Sequence, residues 1–512
     1  MSAPALLTTA EIRTLEERAA KGLAGPTLMQ RAGRATAEAA RSMAADTGAP
    51  ILVVAGPGNN GGDAWVAAAA LLETFHRVTV LDVAGREPGA PEAREARGRF
   101  RDAGGAVARD WPAGPRPALV VDGLLGIGLA RDVEGDMARH VDAINAAGAP
   151  VLAIDIPSGI ASDTGAVLGT AVRATRTITF IARKVGLHTG DALDHTGEIM
   201  VDDLGIAPVL LQGWPGSLVT ADSLRGLLPP RRRNSHKGAF GTLGIVSGAR
   251  GMTGAALLAA RAGLLAGAGK VYVGLLSPEP PAVDPFYPEL MLRAWEDTLS
   301  ADVLVIGPGA GHAAEGTPPT PFERSTLPAL LSLPKPLVLD ADALNAIAAS
   351  DTLRDALAGN RRAPTILTPH PAEAARLLRS TTAEVQADRL AAARSLAQMF
   401  RAEIVLKGAG SVFASPDGSW AVNATGNPGL ASGGTGDVLA GLVGAVLCQG
   451  IPARVALRLA VGIHGAAADA LVARGVGPAG ITASEVALEA RAVLNRWSAS
   501  PSLGNAGYAS AR

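Results

Sequence analysis

The sequence predicts two α/β domains in series, each with a parallel β-sheet covered by helices on both faces. At 512 residues the chain is too long for one hydrophobic core, since cores stop growing at roughly 250–300 residues. Short apolar runs alternate with helix-like segments in both halves, as is typical of parallel strands buried on two faces. The alternation lapses in a Pro- and Gly-rich stretch at 206–217, so we place the boundary there, giving domains 1–216 and 217–512.

The strands are predicted from the apolar runs in chain order. In the first half these runs fall at 51–56, 77–83, 118–123, 151–159 and 177–182. In the second half they fall at 242–248, 270–276, 302–309, 336–342, 364–370 and 403–408. Residues 411–415 and 419–423 then predict a hairpin across Pro416-Asp417-Gly418, followed by two long Ala-rich helices.

Composition narrows the functional classes. A formal net charge of −1 and only 18% charged residues provide no overall electrostatic field that would attract nucleic acid or an anionic membrane, so we expect neither partner.

The only cysteine, Cys448, has apolar neighbours and is predicted to be a core thiol of a protein from a reducing compartment. The N-terminus lacks a secretion signal, so we expect a cytoplasmic protein. Ala-rich helical surfaces suggest a homo-oligomer.

The first unusual loop, Gly56-Pro57-Gly58-Asn59-Asn60-Gly61-Gly62-Asp63, lies between a strand and the helix AWVAAAALLE. Its glycines let the backbone approach a ligand, and the N-terminus of the helix offers unpaired N–H groups to a phosphate. A tight turn capped by Asp63 is the simpler interpretation for a single loop. The spacing matches neither the dinucleotide motif nor the P-loop.

Neighbouring strands end in further polar residues. Asp122 lies in VVDGLLGIG, a glycine loop continues from Gly126 to Asp132, and Asp155 and Ser158 lie in AIDIPSG. Ligands of parallel sheets bind outside the carboxyl ends of the strands, so these loops should meet at one edge.

Together, GPGNNGGD, VDGLLGIG, IDIPSG and FIARKVGLHTG resemble the NAD(P)H-hydrate epimerases, which implies a Rossmann-like first domain with isomerase activity. The resemblance implies that Asp155 contacts the damaged ring, and we take it as the leading catalytic residue. Lys184 is the weaker candidate, because a lysine after a strand is more often solvated or paired with phosphate. Asn60, Asp122 and Ser158 would ligate a potassium ion. The residues implied to hold the cofactor are Asn59, Asn60, Gly61, Gly62, Asp63, Gly126, Ile127, Gly128, Leu129, Ala130, Arg131, Asp132 and Asp155.

In the second half, the segment from Asn427 to Asp437, NPGLASGGTGD, runs directly into a helix. Consecutive glycines at a helix N-terminus form an anion hole, with Asp437 beside it. An aspartate in a first helical turn is most commonly a cap. The GTGD pattern nevertheless resembles the ribokinase-like superfamily, a three-layer α/β/α fold in which this aspartate deprotonates the hydroxyl that accepts a phosphoryl group.

Further motifs in the same order resemble the NAD(P)H-hydrate dehydratases, which are lyases within that superfamily. These motifs are Ser235-His236-Lys237-Gly238, Thr253-Gly254-Ala255, Ile306-Gly307-Pro308-Gly309, Asp340-Ala341-Asp342-Ala343-Leu344-Asn345, Thr368-Pro369-His370-Pro371 and Lys407-Gly408. The resemblance implies that ADP binds at Lys407, Gly408, Ala409, Gly410, Ser411 and Gly436. It implies that the hydrated cofactor contacts Ala255, Gly309, His370 and Asp437.

By the logic of that family, a nucleotide phosphate turns the ring hydroxyl into a leaving group, Asp437 is the base, and a magnesium ion bridges the phosphates. The sequence therefore predicts repair of hydrated NADH and NADPH by two activities. One alternative is a ribokinase-like small-molecule kinase fused to a nucleotide-binding regulatory module. Another is an N-terminal module that has lost its activity, against which the intact Asn60, Asp63, Asp122 and Asp155 argue.

Overall fold

The computed structural model describes residues 3–22, 25–314, 316–359 and 362–498. The chain divides into two compact units. The N-terminal unit is Pro4–Ser217, and the C-terminal unit begins at Leu218.

The N-terminal unit contains a seven-stranded sheet in which every pairing is parallel. The five predicted strands form its interior. The two edge strands were not predicted, because half-exposed strands lack the continuous apolar run that marks a buried strand. A short parallel pair, Leu6–Leu7 with Arg183–Lys184, lies apart from this sheet. In spatial order the strands of the sheet are Ala106–Ala108, Val78–Asp82, Ile51–Ala55, Leu119–Gly123, Val151–Ile154, Arg176–Phe180 and Glu198–Asp202.

Helices cover both faces of this sheet. Four of them bury apolar residues in one cluster with the strands, and the fifth packs in a second cluster on the other face. The first four are Thr9–Gly22, Leu28–Met43, Asn59–Glu73 and Pro91–Asp102, and the fifth is Gly135–Ala146. Short 3₁₀ turns occupy Val185–Leu187, Gly190–Asp194 and Pro208–Leu211.

The C-terminal unit is built on a ten-stranded sheet. Its central strands are parallel, and the predicted hairpin is confirmed, since Val412–Ala414 pairs antiparallel with Trp420–Asn423. The remaining strands include two short edge strands that the apolar pattern did not reveal. In spatial order the sheet contains Gly216–Val219, Trp420–Asn423, Val412–Ala414, Glu403–Leu406, Thr365–Leu367, Leu337–Leu339, Val303–Ile306, Thr242–Ser247, Lys270–Leu275 and Met291–Arg293.

Three long helices, not the expected two, follow the hairpin. The glycine-rich stretch from Gly475 to Gly480 separates the last two. The three are Thr435–Cys448, Ala453–Ala473 and Ala483–Ser498. The other helices of the unit are Ala221–Leu224, Thr253–Leu265, Leu327–Leu331, Asp342–Ala349, Asp351–Ala358, Pro371–Leu378, Thr382–Ala387 and Arg389–Phe400. Shorter turns are Lys237–Phe240, Trp295–Ser300, Phe322–Thr326 and Pro428–Leu430.

Ala453–Ala473 is the one described helix that is long and apolar enough to cross a membrane by length and composition. Two-thirds of its apolar window, 67%, is buried inside the unit, as expected of a core helix. Cys448 is buried in the same core, and burial raises the pKa of its thiol to about 12. The prediction of a core thiol is confirmed.

The close packing of small residues suggests a stability test. A Cβ added at Gly441 would collide with the backbone of Ala259 in the facing helix, whereas one at Gly254 would meet no described atom within 4 Å. We expect Gly441→Ala to destabilise the protein by about 1–3 kcal/mol through overpacking. Gly254→Ala, on the helix that contains Ala259, is the control and should be neutral or slightly stabilising. Equal unfolding midpoints in urea for the two variants would contradict the packing.

Candidate active sites

The first candidate site is a cavity of about 870 Å³ at the carboxyl edge of the N-terminal sheet. The loops after three adjacent strands, which end at Ala55, Gly123 and Ile154, meet there as expected from parallel topology. Three residues implied to bind the cofactor do not line the cavity. Gly61 and Gly62 are buried behind it, and Asp132 is exposed outside it. Those that do line it are Asn59, Asn60, Asp63, Gly126, Ile127, Gly128, Leu129, Ala130, Arg131 and Asp155.

The helix after the glycine loop begins earlier than the sequence suggested. Gly58 is the N-cap, so Asp63 lies within the helix and does not cap it. Glycine disfavours helix interiors, which is why this segment was interpreted as a loop. Here, however, a Cβ at Gly61 would collide with the carbonyl group of Gly56, and one at Gly62 would lie 2.6 Å from the Met29 methyl group. These glycines therefore allow the first turns to pack closely.

A buried polar cluster lies behind the cavity. The Ser158 hydroxyl donates to Asp122 Oδ1 at 2.7 Å, and the Ser158 N–H donates to Asp122 Oδ2 at 2.9 Å. Asn60 Nδ2 donates to the Leu125 carbonyl at 2.8 Å, while the Leu125 N–H donates to Ser158 Oγ at 2.8 Å. Burial raises the pKa of Asp122, and no basic side chain in the described ranges forms a salt bridge with it. The cluster is therefore a set of hard oxygen atoms around a carboxylate that has no protein counter-charge.

Asp155 is held by an ion pair with Lys184. Lys184 Nζ contacts Asp155 Oδ1 and also donates to the Thr179 hydroxyl at 2.8 Å and to the Phe180 carbonyl at 3.0 Å. The lysine is 1% exposed, so the expectation of a solvated or phosphate-pairing lysine was wrong. Sequence reasoning missed the pair because it joins the residue after strand Val151–Ile154 to the short strand Arg183–Lys184, and the two residues are 29 positions apart in the chain. Asp155 itself has a φ of +65°, a strained conformation of the kind found at functional sites.

Three more carboxyl groups line the same cavity, those of Glu16, Glu17 and Asp63. Burial, followed by the charges of Asp155 and Glu16, raises the pKa of Asp63 well above its ordinary value. Burial and the charge of Asp155 also raise the pKa of Glu16, a residue that no motif had indicated. Perturbed carboxyl groups that share a cleft are a physical signature of acid–base chemistry.

The second candidate site lies where the strands of the C-terminal sheet end. Lys407 Nζ lies 2.8 Å from Asp340 Oδ1, and both residues immediately follow parallel strands. A Cβ at Gly436 would lie 3.5 Å from Lys407 Nζ, so the GTGD turn is in contact with this pair. The structure thus brings together Asp340, Lys407 and Gly436 from three separate motifs.

Asp437 lies in the first turn of the helix Thr435–Cys448. Burial first, and then the charge of Asp340, raises its pKa to about 6, against an opposing effect of Lys407. This aspartate is therefore more than a helix cap, since the N-cap is Gly434 and no side-chain capping bond forms there. A carboxyl group with this pKa is poised to accept a proton near neutral pH.

The turn after strand Glu403–Leu406 contains the remaining residues implied to bind the nucleotide. Gly408 and Gly410 have φ of +139° and +61°, which only glycine adopts without strain. The hydroxyl of Ser411 donates to the Gly408 carbonyl at 3.1 Å and closes the turn. Lys407 and Ser411 are thereby placed at the two ends of a tight backbone loop.

His370 has a structural role that the sequence did not reveal. Its Nδ1 accepts from the N–H groups of Ala372 and Glu373 at 3.1 and 3.3 Å, so it caps the helix Pro371–Leu378. Its Nε2 lies 3.1 Å from Glu373 Oε1, which makes Nε2 the protonated nitrogen. Glu373 is 3% exposed, and its hydrogen bonds with His370 hold its pKa low despite burial, which acts in the opposite direction.

Ala255 and Gly309 also meet in this unit. A Cβ at Gly309, where φ is +59°, would lie 3.1 Å from Ala255 Cβ. A cavity of about 800 Å³ opens beside them, lined by Gly311, Arg250 and Trp295 among others. No sequence motif had indicated Arg250 or Trp295.

Two family models match the chain, one in each half. The model described as YjeF-related protein N-terminus matches residues 25–186, and the model described as NAD(P)H-hydrate dehydratase matches residues 243–487. A bifunctional NAD(P)H-hydrate repair enzyme of Escherichia coli is 39% identical over 95% of this chain and 93% of its own length. One from Thermofilum pendens is 37% identical over 90% of each chain.

A protein of the same description from Leishmania major is 37% identical over 93% of this chain and 90% of its own length. Among solved structures, the ADP/ATP-dependent NAD(P)H-hydrate dehydratase of Bacillus subtilis is 32% identical, with a TM-score of 0.47. The match covers 55% of this chain and 98% of that one.

The raised pKa of Asp437 can be measured directly. We expect its carboxyl ¹³C resonance to titrate near pH 6, and near a lower pH in Asp340→Asn, because that substitution removes the second-largest cause of the shift. Asp342→Asn is the matched control and should lower the midpoint by less, since Asp342 contributes least. A midpoint that stays near 6 in Asp340→Asn would contradict the assignment.

Proposed function

Since the chain belongs to the family of bifunctional NAD(P)H-hydrate repair enzymes, we propose that the residues of the N-terminal site described above carry out the epimerisation and those of the C-terminal site the dehydration. The chain is an NAD(P)H-hydrate epimerase and dehydratase, and the predicted isomerase and lyase activities are confirmed. The full-length match with repair enzymes disfavours a kinase fused to a regulatory module. The observation that carries the assignment of the sites is the arrangement of acids where the parallel strands of each unit end.

In the N-terminal cavity, the dinucleotide would lie along the first turn of helix Asn59–Glu73, where free N–H groups suit a phosphate. The loop 126–132 would form the opposite wall. Asp155 would contact the hydrated ring and take part in proton transfer at the carbon that carries the hydroxyl. Gly61 and Gly62 would contribute by letting the helix approach, because they do not line the cavity.

A potassium ion fits the cluster of Asn60, Asp122 and Ser158. All three offer oxygen atoms, and the buried Asp122 carboxylate lacks a basic partner in the described part of the chain. A monovalent cation would balance that charge, and hard cations prefer such ligands. When bound, the ion would supply positive charge next to the Leu125 turn. Asn60 and Ser158 would orient that turn toward the cofactor.

In the C-terminal unit, ADP would bind at residues 407–411 and Gly436, with the hydrated cofactor at Ala255, Gly309, His370 and Asp437. Magnesium, when bound, would supply positive charge to the nucleotide phosphates. In the described residues, no group of three His, Cys, Asp or Glu side chains could hold a metal ion. That fits a magnesium ion held chiefly by phosphates and water, which is its usual mode.

The charges of this site suit its chemistry. Asp437, ionised at neutral pH, would remove the proton of the ring hydroxyl as the oxygen attacks the terminal phosphate of ADP, and AMP would leave as its bond to that phosphate breaks. Lys407, anchored by Asp340, and the GTGD turn would stabilise the negative charge of the phosphoryl group. Departure of phosphate from the ring carbon, with loss of a proton from the adjacent carbon, then forms the ring double bond and restores the dihydronicotinamide.

The remaining features concern the cellular setting. We propose a cytoplasmic homo-oligomer without nucleic-acid or membrane partners. The net charge of −1 supports the absence of such partners. The exposed apolar side chains of Met252 and Phe286, on the surface of the C-terminal unit, support self-association.

The two activities can be separated by substitution. Wild-type protein with mixed R and S hydrates of NADH, ADP and magnesium should restore the dihydronicotinamide absorbance of both epimers. Asp155→Ala should dehydrate the S form as the wild type does. It should consume the R form no faster than R and S interconvert spontaneously. Asp437→Ala should lose at least about 100-fold in dehydration yet still equilibrate the epimers, as chromatography would report. Normal dehydration by Asp437→Ala would show that this residue is not the base.

Potassium dependence follows from the Asp122 cluster. Replacing potassium with tetramethylammonium, which is too large for the cluster, should lower epimerisation and the unfolding temperature of the wild type, because the carboxylate loses its counter-ion. Asp122→Asn removes that charge, so its unfolding temperature should no longer respond to potassium. Asp132→Asn, on the exposed end of the loop, is the matched control and should keep the response. An unchanged potassium response in Asp122→Asn would exclude the site.

A further inference from the structure

Interconversion of the two epimers requires groups on both sides of one ring carbon. The carbon that carries the hydroxyl is bonded to the ring nitrogen, so loss of the hydroxyl as water leaves a cation stabilised by the nitrogen lone pair. Water can then return to either face. One group must protonate the leaving hydroxyl, and another must accept a proton from the incoming water.

Two carboxyl groups approach the N-terminal cavity from different strands. Asp155 directly follows strand Val151–Ile154, and Asp63 lies in the helix that follows strand Ile51–Ala55. Strand Leu119–Gly123 lies between these two strands, so the two acids reach one cavity from different strand connections of the sheet.

The surroundings of these two carboxyl groups differ. Asp155 accepts from Lys184, whose buried ammonium group is its counter-charge. Asp63 forms no salt bridge with any residue that the structure describes. One carboxyl group of the cavity thus has a fixed cation, and the other has none.

We propose that Asp63 is the catalytic acid of the epimerase and that it works with Asp155, which Lys184 positions as the base. The inference rests on the proposed function of the N-terminal cavity and gives Asp63 a role beyond holding the cofactor.

The electrostatics support this division of roles. Burial and the nearby charges of Asp155 and Glu16 raise the pKa of Asp63 well above its ordinary value, so it keeps its proton where an ordinary aspartate would lose it. Paired groups whose environments favour opposite protonation states are typical of an acid and a base at one site. The excess of carboxyl groups over the single buried lysine also favours a cationic intermediate.

The steps balance. Asp63 gives its proton to the hydroxyl, the C–O bond breaks, water leaves, and the nitrogen lone pair forms the C=N bond. Water then adds to the opposite face, the C=N pair returns to nitrogen, and Asp155 takes the released proton. Return of that proton from Asp155 to Asp63 through water resets the site. The opposite direction uses the same groups in exchanged roles.

Glu16 is the competing acid, because it lines the same cavity and burial raises its pKa too. It lies on helix Thr9–Gly22, however, which does not follow a strand of the seven-stranded sheet, whereas the helix of Asp63 follows strand Ile51–Ala55. The charge of Lys184 opposes the rise in pKa of both acids, and Arg13 lowers the pKa of Glu16 in addition. Glu16 therefore has more support for its ionised form than Asp63.

The test compares Asp63→Asn with Glu16→Gln in the full chain, with pure R hydrate of NADH and chromatographic separation of the epimers. Asp63→Asn keeps the size and a hydrogen-bonding group, so KM should change less than about threefold while kcat falls at least about 100-fold. Asp63→Glu should recover part of the loss. Glu16→Gln should lose less than about tenfold. Wild-type kcat should fall as pH rises and Asp63 deprotonates, and the residual rate of Asp63→Asn should lack that fall.

Dehydration of pure S hydrate reports on the C-terminal unit and should be unchanged in Asp63→Asn. Epimerisation by Asp63→Asn within tenfold of the wild type, or a larger loss in Glu16→Gln, would overturn the role of Asp63 and leave the epimerase assignment intact. A wild-type chain that does not accelerate epimerisation over the spontaneous rate would instead overturn the proposed function itself.

Discussion

The sites of both units depend on an ion pair between a lysine and an aspartate, and the aspartate follows a parallel strand in each case. Lys184 pairs with Asp155 in the N-terminal unit, and Lys407 pairs with Asp340 in the C-terminal unit. In each pair the lysine holds the aspartate side chain in place at the site. A second aspartate, on the helix after a glycine-rich segment, then lies within the field of the pair without a salt bridge of its own in the described residues.

That second aspartate is Asp63 in one unit and Asp437 in the other, and burial with neighbouring carboxylates raises the pKa of both. The consequence differs with the task. Asp437, with a pKa of about 6, is ionised at neutral pH and suits a base for phosphoryl transfer. Asp63, whose pKa burial raises well above its ordinary value, suits an acid. The same arrangement thus serves opposite proton transfers.

Sequence patterns predicted the strands of both sheets that are buried on two faces, because continuous apolar runs report such burial. They missed the edge strands Ala106–Ala108, Glu198–Asp202 and Met291–Arg293, which are partly exposed. The motifs led to Asp155 and Asp437 because glycines and acids next to strand ends are visible in the chain. Lys184 was misjudged, since its burial depends on a partner from another strand.

The sequence also did not reveal that a helix begins at Asn59, because tertiary packing decides the structure there. Three glycines between residues 58 and 62 indicate a loop by propensity, while close packing against Gly56 and Met29 makes a helix favourable there. Glu16 and Glu373 lie in ordinary helical sequence, and only the tertiary structure places them beside the acids of each site.

The two sites together require one aspartate that is protonated, Asp63, and one that is ionised, Asp437. The most direct test is to measure kcat for epimerisation and for dehydration of the same wild-type preparation from pH 5 to 9. We predict opposite slopes, with dehydration rising through about pH 6 and epimerisation falling as pH increases. Two profiles that rise together would contradict the account.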